Sequence, residues 1–453
     1  MSKIRLHGSS SGYTEIAPVA ASGNNTLTLP NDGTIISKDS NGAVGVTSVV
    51  TTTATITTAK IGAGVTITES GIEASGIGIT VANINGGQIG GRRNIIINGA
   101  MMIAERGTSS TSNNNGLNTL DRFRATFSGT DETPTQAQAD VSSGDTGPYQ
   151  EGFRKAFKIT NGNQTSGAGA DDYVRIGYGI EAQDIANSGW NYTSSSSFIT
   201  LSFWVNSSVS QSFKVELYVD DGTAQAFSFD TGTLSAGTWT KIVKTIPGNS
   251  NLTFDDNTGE GLYIRWLPFF GTSFTSSSVT EDAWAAYSGS ARTKVNTTTW
   301  YTTNDATFEV TGIQLEVGSQ ATPFEHRSMG EELSLCQRYY FKLGKLDYLG
   351  VHMSANEVYG IGMSDNDDVN IYGIINFPVM MRQPPTGIDQ SGSASDYRVR
   401  RHTNKTCSGV PTFVNAAEHF CRGNFPSSSH GWGTGQMLWC MSAGSSGYLG
   451  FGA

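Results

Sequence analysis

Six side chains of this 453-residue chain have the types and surroundings of a sugar-binding surface: Trp284, Tyr287, Trp300, Tyr301, His430 and Trp432. The C–H faces of a pyranose pack on flat aromatic rings, while neighbouring amides and carboxylates hold its hydroxyls. The first four lie in a polar stretch rich in Ser and Thr, and His430 and Trp432 lie in a Gly/Ser-rich tract near the C-terminus. For each, packing in a core or a subunit interface is the competing role. Trp204, Trp239 and Trp266 sit in or beside alternating segments and read as core.

Patterns for catalysis are weaker. Gly8-Ser9-Ser10-Ser11-Gly12 fits G-x-S-x-G, which needs a strand before it and a helix after it; here it falls in a Gly/Ser arm. Cys407, His419, Cys421 and His430 do not have the paired spacing of a zinc module. Asp365, Asp367 and Asp368 lack the Gly and distal Glu of a calcium loop. Glycan cleavage needs two carboxylates about 5 to 10 Å apart across the bond. Asp255, Asp256, Glu260, Glu281 and Asp282 supply carboxylates, but the sequence puts no pair in place. The long ladder of repeated β-coils that depolymerising spikes use is missing as well. The expectation is no enzyme, no metal and no cofactor.

Composition narrows the partners. With 29 Lys+Arg against 39 Asp+Glu the net charge is −10, which opposes a nucleic-acid partner. Charged residues are 15% of the chain, against about 25% in an ordinary domain. Aromatics at 10% are too many for a disordered chain. No run approaches the ~18 apolar residues of a membrane span, so no membrane insertion is expected. The opening residues lack a secretory apolar core, and the four cysteines read as free thiols of a protein made in a cytoplasm.

Four segments follow from the texture. Residues 1–48 form a β-rich arm, with Thr26-Leu27-Thr28-Leu29 alternating and Pro30-Asn31-Asp32-Gly33 turning. Residues 49–91 are charge-poor and β-branched, as in Val65-Thr66-Ile67-Thr68. One such chain cannot bury enough surface to offset its ordering entropy. Three copies wound about an axis can, so the segment reads as an intertwined trimeric β shaft; a flexible Gly/Thr linker is the alternative.

Residues 92–328 carry strand alternation typical of a β-sandwich. Ile199, Leu201, Phe203 and Val205 share one side, and Leu262, Ile264 and Trp266 another. Asp221-Gly222 is expected as a two-residue hairpin turn. Parity switches between Val310 and Ile313, which places a bulge at Gly312. Residues 329–453 begin with a helix, capped by Ser328-Met329-Gly330-Glu331 and carrying Leu333, Cys336, Gln337 and Tyr340 on one face. A C-terminal β-sandwich-like head follows. The fold class is all-β.

Several strings resemble structural proteins of tailed bacteriophages, marine and cyanophage-like ones especially. Asn94-Ile95-Ile96-Ile97-Asn98-Gly99, Ala104-Glu105-Arg106-Gly107 and Leu120-Asp121-Arg122-Phe123 look like the opening of a tail-fibre module. Thr311-Gly312-Ile313-Gln314-Leu315-Glu316-Val317-Gly318 and Ala321-Thr322-Pro323-Phe324-Glu325-His326-Arg327-Ser328 resemble its end. Glu331 to Tyr340 and Phe377-Pro378-Val379-Met380-Met381-Arg382 resemble the segment that follows. The resemblance spans about residues 92–453; the first 90 residues match in style, without the anchoring domain of the best-known short-tailed fibres.

The resemblance implies a homotrimeric virion fibre with a carbohydrate-binding-module-like sandwich. Its expected partners are other virion proteins, tail or head, through the N-terminus, and a host cell-surface glycan. A purely structural head fibre or tail decoration without a receptor role is the alternative. A secreted carbohydrate-binding module is disfavoured by the missing leader.

Overall fold

A computed structural model describes residues 92–111, 116–344, 357–365, 369–428, 430–444 and 446–453, with the backbone of five short strands nearer the N-terminus. The chain divides into two compact units, residues 1–80 and 81–453. In the first, Ile4–His7 pairs antiparallel with Tyr13–Ile16. Thr58–Ile61, Val65–Thr68 and Gly71–Ala74 form an antiparallel three-stranded sheet. The expected hairpin at Thr26–Leu29, and most of the stretch read as a shaft, lie outside the described residues.

The second unit is all-β apart from short helices, and its first part is a sandwich of two six-stranded antiparallel sheets. One sheet runs, edge to edge, Trp284–Ala286, Gln225–Thr233, Ser212–Val219, Glu260–Phe270, Tyr173–Glu181 and Phe123–Ser128. The other runs Thr240–Pro247, Phe198–Ser207, Thr307–Val317, Lys155–Thr160, Thr135–Asp140 and Ser109–Ser110. Period-two alternation puts Phe203 of one sheet against Trp266 of the other, edge to face at 5.7 Å. Phe213 meets Phe308 at 4.8 Å in the same way. Each such ring buried contributes roughly 2–3 kcal/mol.

The bulge falls where parity placed it. Ser202 pairs with Gln314 and Trp204 with Thr311, so Gly312 and Ile313 together face Phe203. Gly312 has φ +61°, a conformation that glycine adopts without strain. The hairpin turn is longer than expected. Val219 pairs with Gln225, leaving a five-residue loop, 220–224, between them. Asp221 is used there to accept the Asp255 N–H at 3.0 Å, tying that loop to its neighbour. Trp204 is half-buried, because its parity turns it away from Phe203; its Nε1 donates to Glu151 at 3.0 Å.

The helix Met329–Gln337 starts as its cap predicts, with the Ser328 hydroxyl accepting the Glu331 N–H at 3.3 Å. It stops short of Tyr340, which opens the strand Tyr340–Gly344. Beyond it, a seven-stranded antiparallel sheet runs Asn404–Thr406, Tyr397–Arg400, Met437–Ser442, Val358–Ser364, Ile371–Asn376, Phe420–Asn424 and Thr412–Ala417. A three-stranded sheet, Tyr340–Gly344, Tyr448–Gly452 and Asp389–Gln390, shares its core.

The strings that carried the resemblance converge on one seam. The Asn94 side chain donates to Ile313 O and accepts from Ile96 and Leu315 N–H, all within 3.1 Å. Glu325 accepts the N–H groups of Arg93 and Asn94, and Arg327 donates to Asn94 O and Ile96 O. Asn98, in the left-handed region at φ +61°, bonds Ile103 and Asp121 through its amide. The Arg122 guanidinium lies 3.4 Å from the Tyr339 ring centroid. These motif residues fasten the sandwich to itself and to the helix that leaves it.

Candidate binding surface on the outer sheet face

The same alternation that buries Leu217, Ile264 and Trp266 turns Glu216, Tyr218, Tyr263 and Arg265 to the outer face of the first sheet. Register places Glu216 beside Arg265 and Tyr218 beside Tyr263. On the next strand the positions opposite Arg265 and Tyr263 are Gly177 and Gly179. A Cβ on Gly179 would stand 2.4 Å from Glu260 Oε1, so the absent side chain is what lets the Arg124–Glu260 ion pair cross that strand.

Three tyrosine rings gather there, all half-buried. Tyr218 lies 4.6 Å from Tyr287 and 5.6 Å from Tyr263. The Arg265 guanidinium is 4.5 Å from the Tyr218 centroid and 5.0 Å from that of Tyr263. Glu216 fixes it, accepting from Arg265 Nη1 at 2.9 Å and from Arg292 Nε at 3.0 Å. Burial alone would raise the Glu216 carboxyl, but the hydrogen bonds and charges of Arg292 and Arg265 more than offset it and hold it below the usual range. Burial, with Arg265 and Arg292 nearby, lowers Arg175 to about 10. Burial and Glu260 push Tyr263 up to about 12.

This arrangement suits binding better than acid–base chemistry. The Glu216 carboxylate is ionised and clamped by two guanidinium groups. Of the carboxylates that the sequence offered for glycan cleavage, Glu260 pairs with Arg124, Glu281 with Lys214 and Lys294, and Asp282 with Lys244. Asp256 accepts from Asn187 at 2.8 Å, and Asp255 from Asn257.

The six aromatic candidates are scattered. Tyr287 belongs to the tyrosine group, and Trp284 stands on the edge strand of the same sheet, half-buried, its Nε1 donating to Pro247 O at 2.7 Å. Trp300 and Tyr301 are fully buried, at 0% exposure, which corrects their reading as surface residues. The short helix Thr299–Thr302 turns both rings into the core. Tyr301 stacks on Phe269 at 4.3 Å, and Trp300 Nε1 donates to Thr307 O at 2.9 Å. His430 is buried too, stacked on the partly buried Trp432 at 5.3 Å. Tyr218, Tyr263 and Arg265 were missed, although the alternation that marked Leu262, Ile264 and Trp266 as inward marks Tyr263 and Arg265 as outward.

The four cysteines are buried and unpaired. Burial raises Cys407 and Cys421 to about 12, so both are neutral thiols. Among the described residues no group of three or more His, Cys, Asp or Glu is placed to hold a metal.

No protein-family profile and no curated sequence matches the chain. Solved structures align with it at low identity. The enzymatically active domain of tailspike protein 4 of bacteriophage CBA120 aligns over 49% of this chain and 21% of its own, at 10% identity and TM-score 0.26. A family 11 carbohydrate-binding module of Clostridium thermocellum, in complex with a mixed-linked tetrasaccharide, aligns over 44% and 91%, at 12% identity and TM-score 0.22. The N-terminal CBM22-1-CBM22-2 tandem domain of Paenibacillus barcinonensis Xyn10C aligns over 72% and 91%, at 8% identity and TM-score 0.22. The chain thus spans about a fifth of the tailspike domain it aligns with. Its own strands define an all-β protein whose second unit contains a two-sheet sandwich.

Proposed function

We propose that the protein is a homotrimeric fibre of a tailed-phage virion, which attaches to the host surface by binding glycan through the tyrosine platform of its sandwich. The observation that carries this reading is the gathering of Tyr218, Tyr263 and Tyr287 on an outer sheet face, with Arg265 held among them by Glu216. Ring faces take the apolar side of a sugar, and a fixed guanidinium donates to its hydroxyls or to an acidic substituent. The resemblance of residues 92–453 to tail-fibre strings supports the virion setting, with residues 1–48 facing other virion proteins. A chain only 15% charged offers little electrostatic steering. Each site is weak alone, and three on one fibre gain through effective concentration.

The test is competition. Purified full-length protein, added in excess, is expected to block adsorption of the phage and to bind oligosaccharides of the host envelope. Tyr218→Ala with Tyr263→Ala should weaken that binding at least tenfold while the protein still unfolds cooperatively, its melting temperature lowered by several degrees. A wild-type protein that neither competes nor binds any host oligosaccharide removes the receptor role and leaves a structural virion component.

A further inference from the structure

Most of the large apolar side chains that the described residues leave exposed lie in the seven-stranded C-terminal sheet. Its inner face is tightly filled: a Cβ on Gly362 or Gly373 would stand within 2.9 Å of Cys440 Sγ. Its outer face carries a continuous apolar centre. Register sets Trp439, Ile361 and Ile374 in one row, and Met437, Met363 and Tyr372 in the next. Trp439, Ile374, Ile361, Met363 and Met437 are between 47% and 65% exposed. A depression of about 920 Å³ is lined by Ile361, Met363, Ile374 and Met437, with Tyr372 and Arg422.

We infer that this face is covered by a second copy of the chain, and is the contact through which the C-terminal domains of the fibre associate. The inference rests on the homotrimer of the proposed function and names the surface that holds it. Sugar is a poor occupant. The centre is aliphatic and thioether, with few groups to hold hydroxyls, and arginines stand at its margin: Arg422 is 4.2 Å from the Tyr372 centroid and Arg400 is 6.0 Å from that of Trp439.

A protein surface fits better. Depletion of charge at the centre, enrichment in Met and Trp, and arginine at the rim are the composition of an interface core. The five side chains expose on the order of 500 Å², about as large a patch as a monomer ordinarily leaves open. With the rim, that approaches the ~800 Å² which each partner contributes to a stable contact. Around a three-fold axis this face of each chain meets a different surface of the next copy, a ring that closes with no partner beyond the chain.

The test uses the purified full-length protein, with peroxide as the probe, since exposed methionine converts to the sulfoxide. Met380, 54% exposed and outside this sheet, is the internal reference for Met363, also 54% exposed, and Met437, 65% exposed. Peptide mass spectrometry should show Met363 and Met437 oxidising at least tenfold more slowly than Met380. Ile361→Lys should bring Met437 up to the rate of Met380. A trimer by light scattering whose Met363 and Met437 oxidise as fast as Met380 overturns this inference alone. Protection that persists in an Ile361→Lys variant shown by light scattering to be monomeric does so too, since it then comes from within one chain. A monomeric wild-type protein overturns both this inference and the trimer.

Discussion

Arg338 meets Glu181 through two parallel hydrogen bonds, from Nε and Nη2, each 2.8 Å long. Glu181 ends a central strand of the sandwich, and Arg338 follows the helix that leads to the C-terminal domain. The Tyr339 hydroxyl donates to the same carboxylate. Burial by itself would raise Glu181, but the bonds from Arg338 and Tyr339 prevail and hold it below its ordinary value. One carboxylate thus gathers the donors of the next segment.

Arg338→Met leaves Glu181 buried without its cation and should cost about 3 kcal/mol. Arg338→Lys should recover only part, since an ammonium cannot make both parallel bonds. Urea unfolding measures both. The stability that Glu181 adds is present above the ordinary carboxylate value of 4.5 and is lost as pH falls through its lower folded value. Removing Arg338 should therefore move the acid limb of the melting profile to higher pH.

Glu105 predicts the opposite slope. Its carboxyl is buried, and burial together with Asp121 raises it well above 4.5, with Arg106 opposing. The folded chain then keeps a proton that the unfolded chain has lost, so this group's contribution is full below 4.5 and declines as pH climbs. Glu105→Gln keeps the shape and removes the titration. Its melting temperature should fall less than that of the wild type from neutral to alkaline pH.

Gly312 and Gly330 make a matched pair. A Cβ on Gly312 would lie 2.6 Å from the Phe153 ring, at φ +61°. Gly312→Ala should cost about 2–4 kcal/mol from clash and backbone strain together. Around Gly330, in the helix, nothing lies within 4 Å. Gly330→Ala should stabilise by about 0.5 kcal/mol. Chemical denaturation of the two variants checks both signs.

Trp300→Ala should cost about 3–5 kcal/mol and depress the yield of folded protein, because the ring is fully buried. Tyr287→Ala removes a half-buried ring of the platform. It should weaken oligosaccharide binding while shifting the melting temperature by only a few degrees. Calorimetry and binding on the same preparations separate the two effects.

Strand parity was legible because it is local: Ile199 to Val205, Leu262 to Trp266 and the switch at Gly312 each needed only their own neighbours in sequence. The Ser328 cap was legible for the same reason. The binding surface was less so. Trp300 and Tyr301 sit among threonines, and their polar surroundings in sequence concealed that one short helical turn buries both rings. Tyr218 and Tyr263 come together only through the pairing of strands more than forty residues apart, and no periodicity announces which strands pair. The turn at Asp221 was misjudged because its aspartate serves a loop distant in sequence.

The seam of Asn94, Glu325 and Arg327 brings the two ends of the sandwich together across a sequence separation of 231. A chain leaving the ribosome can form its hairpins early, but this closing contact waits until the last strand and the residues after it have emerged. Such long-range closure makes for slow folding. It also means that the sandwich enters and leaves at one place, so it can be exchanged as a cassette provided that a carboxylate stands where Glu181 does, to receive Arg338 and Tyr339. A lineage could replace the outer sheet face while keeping the joints on either side.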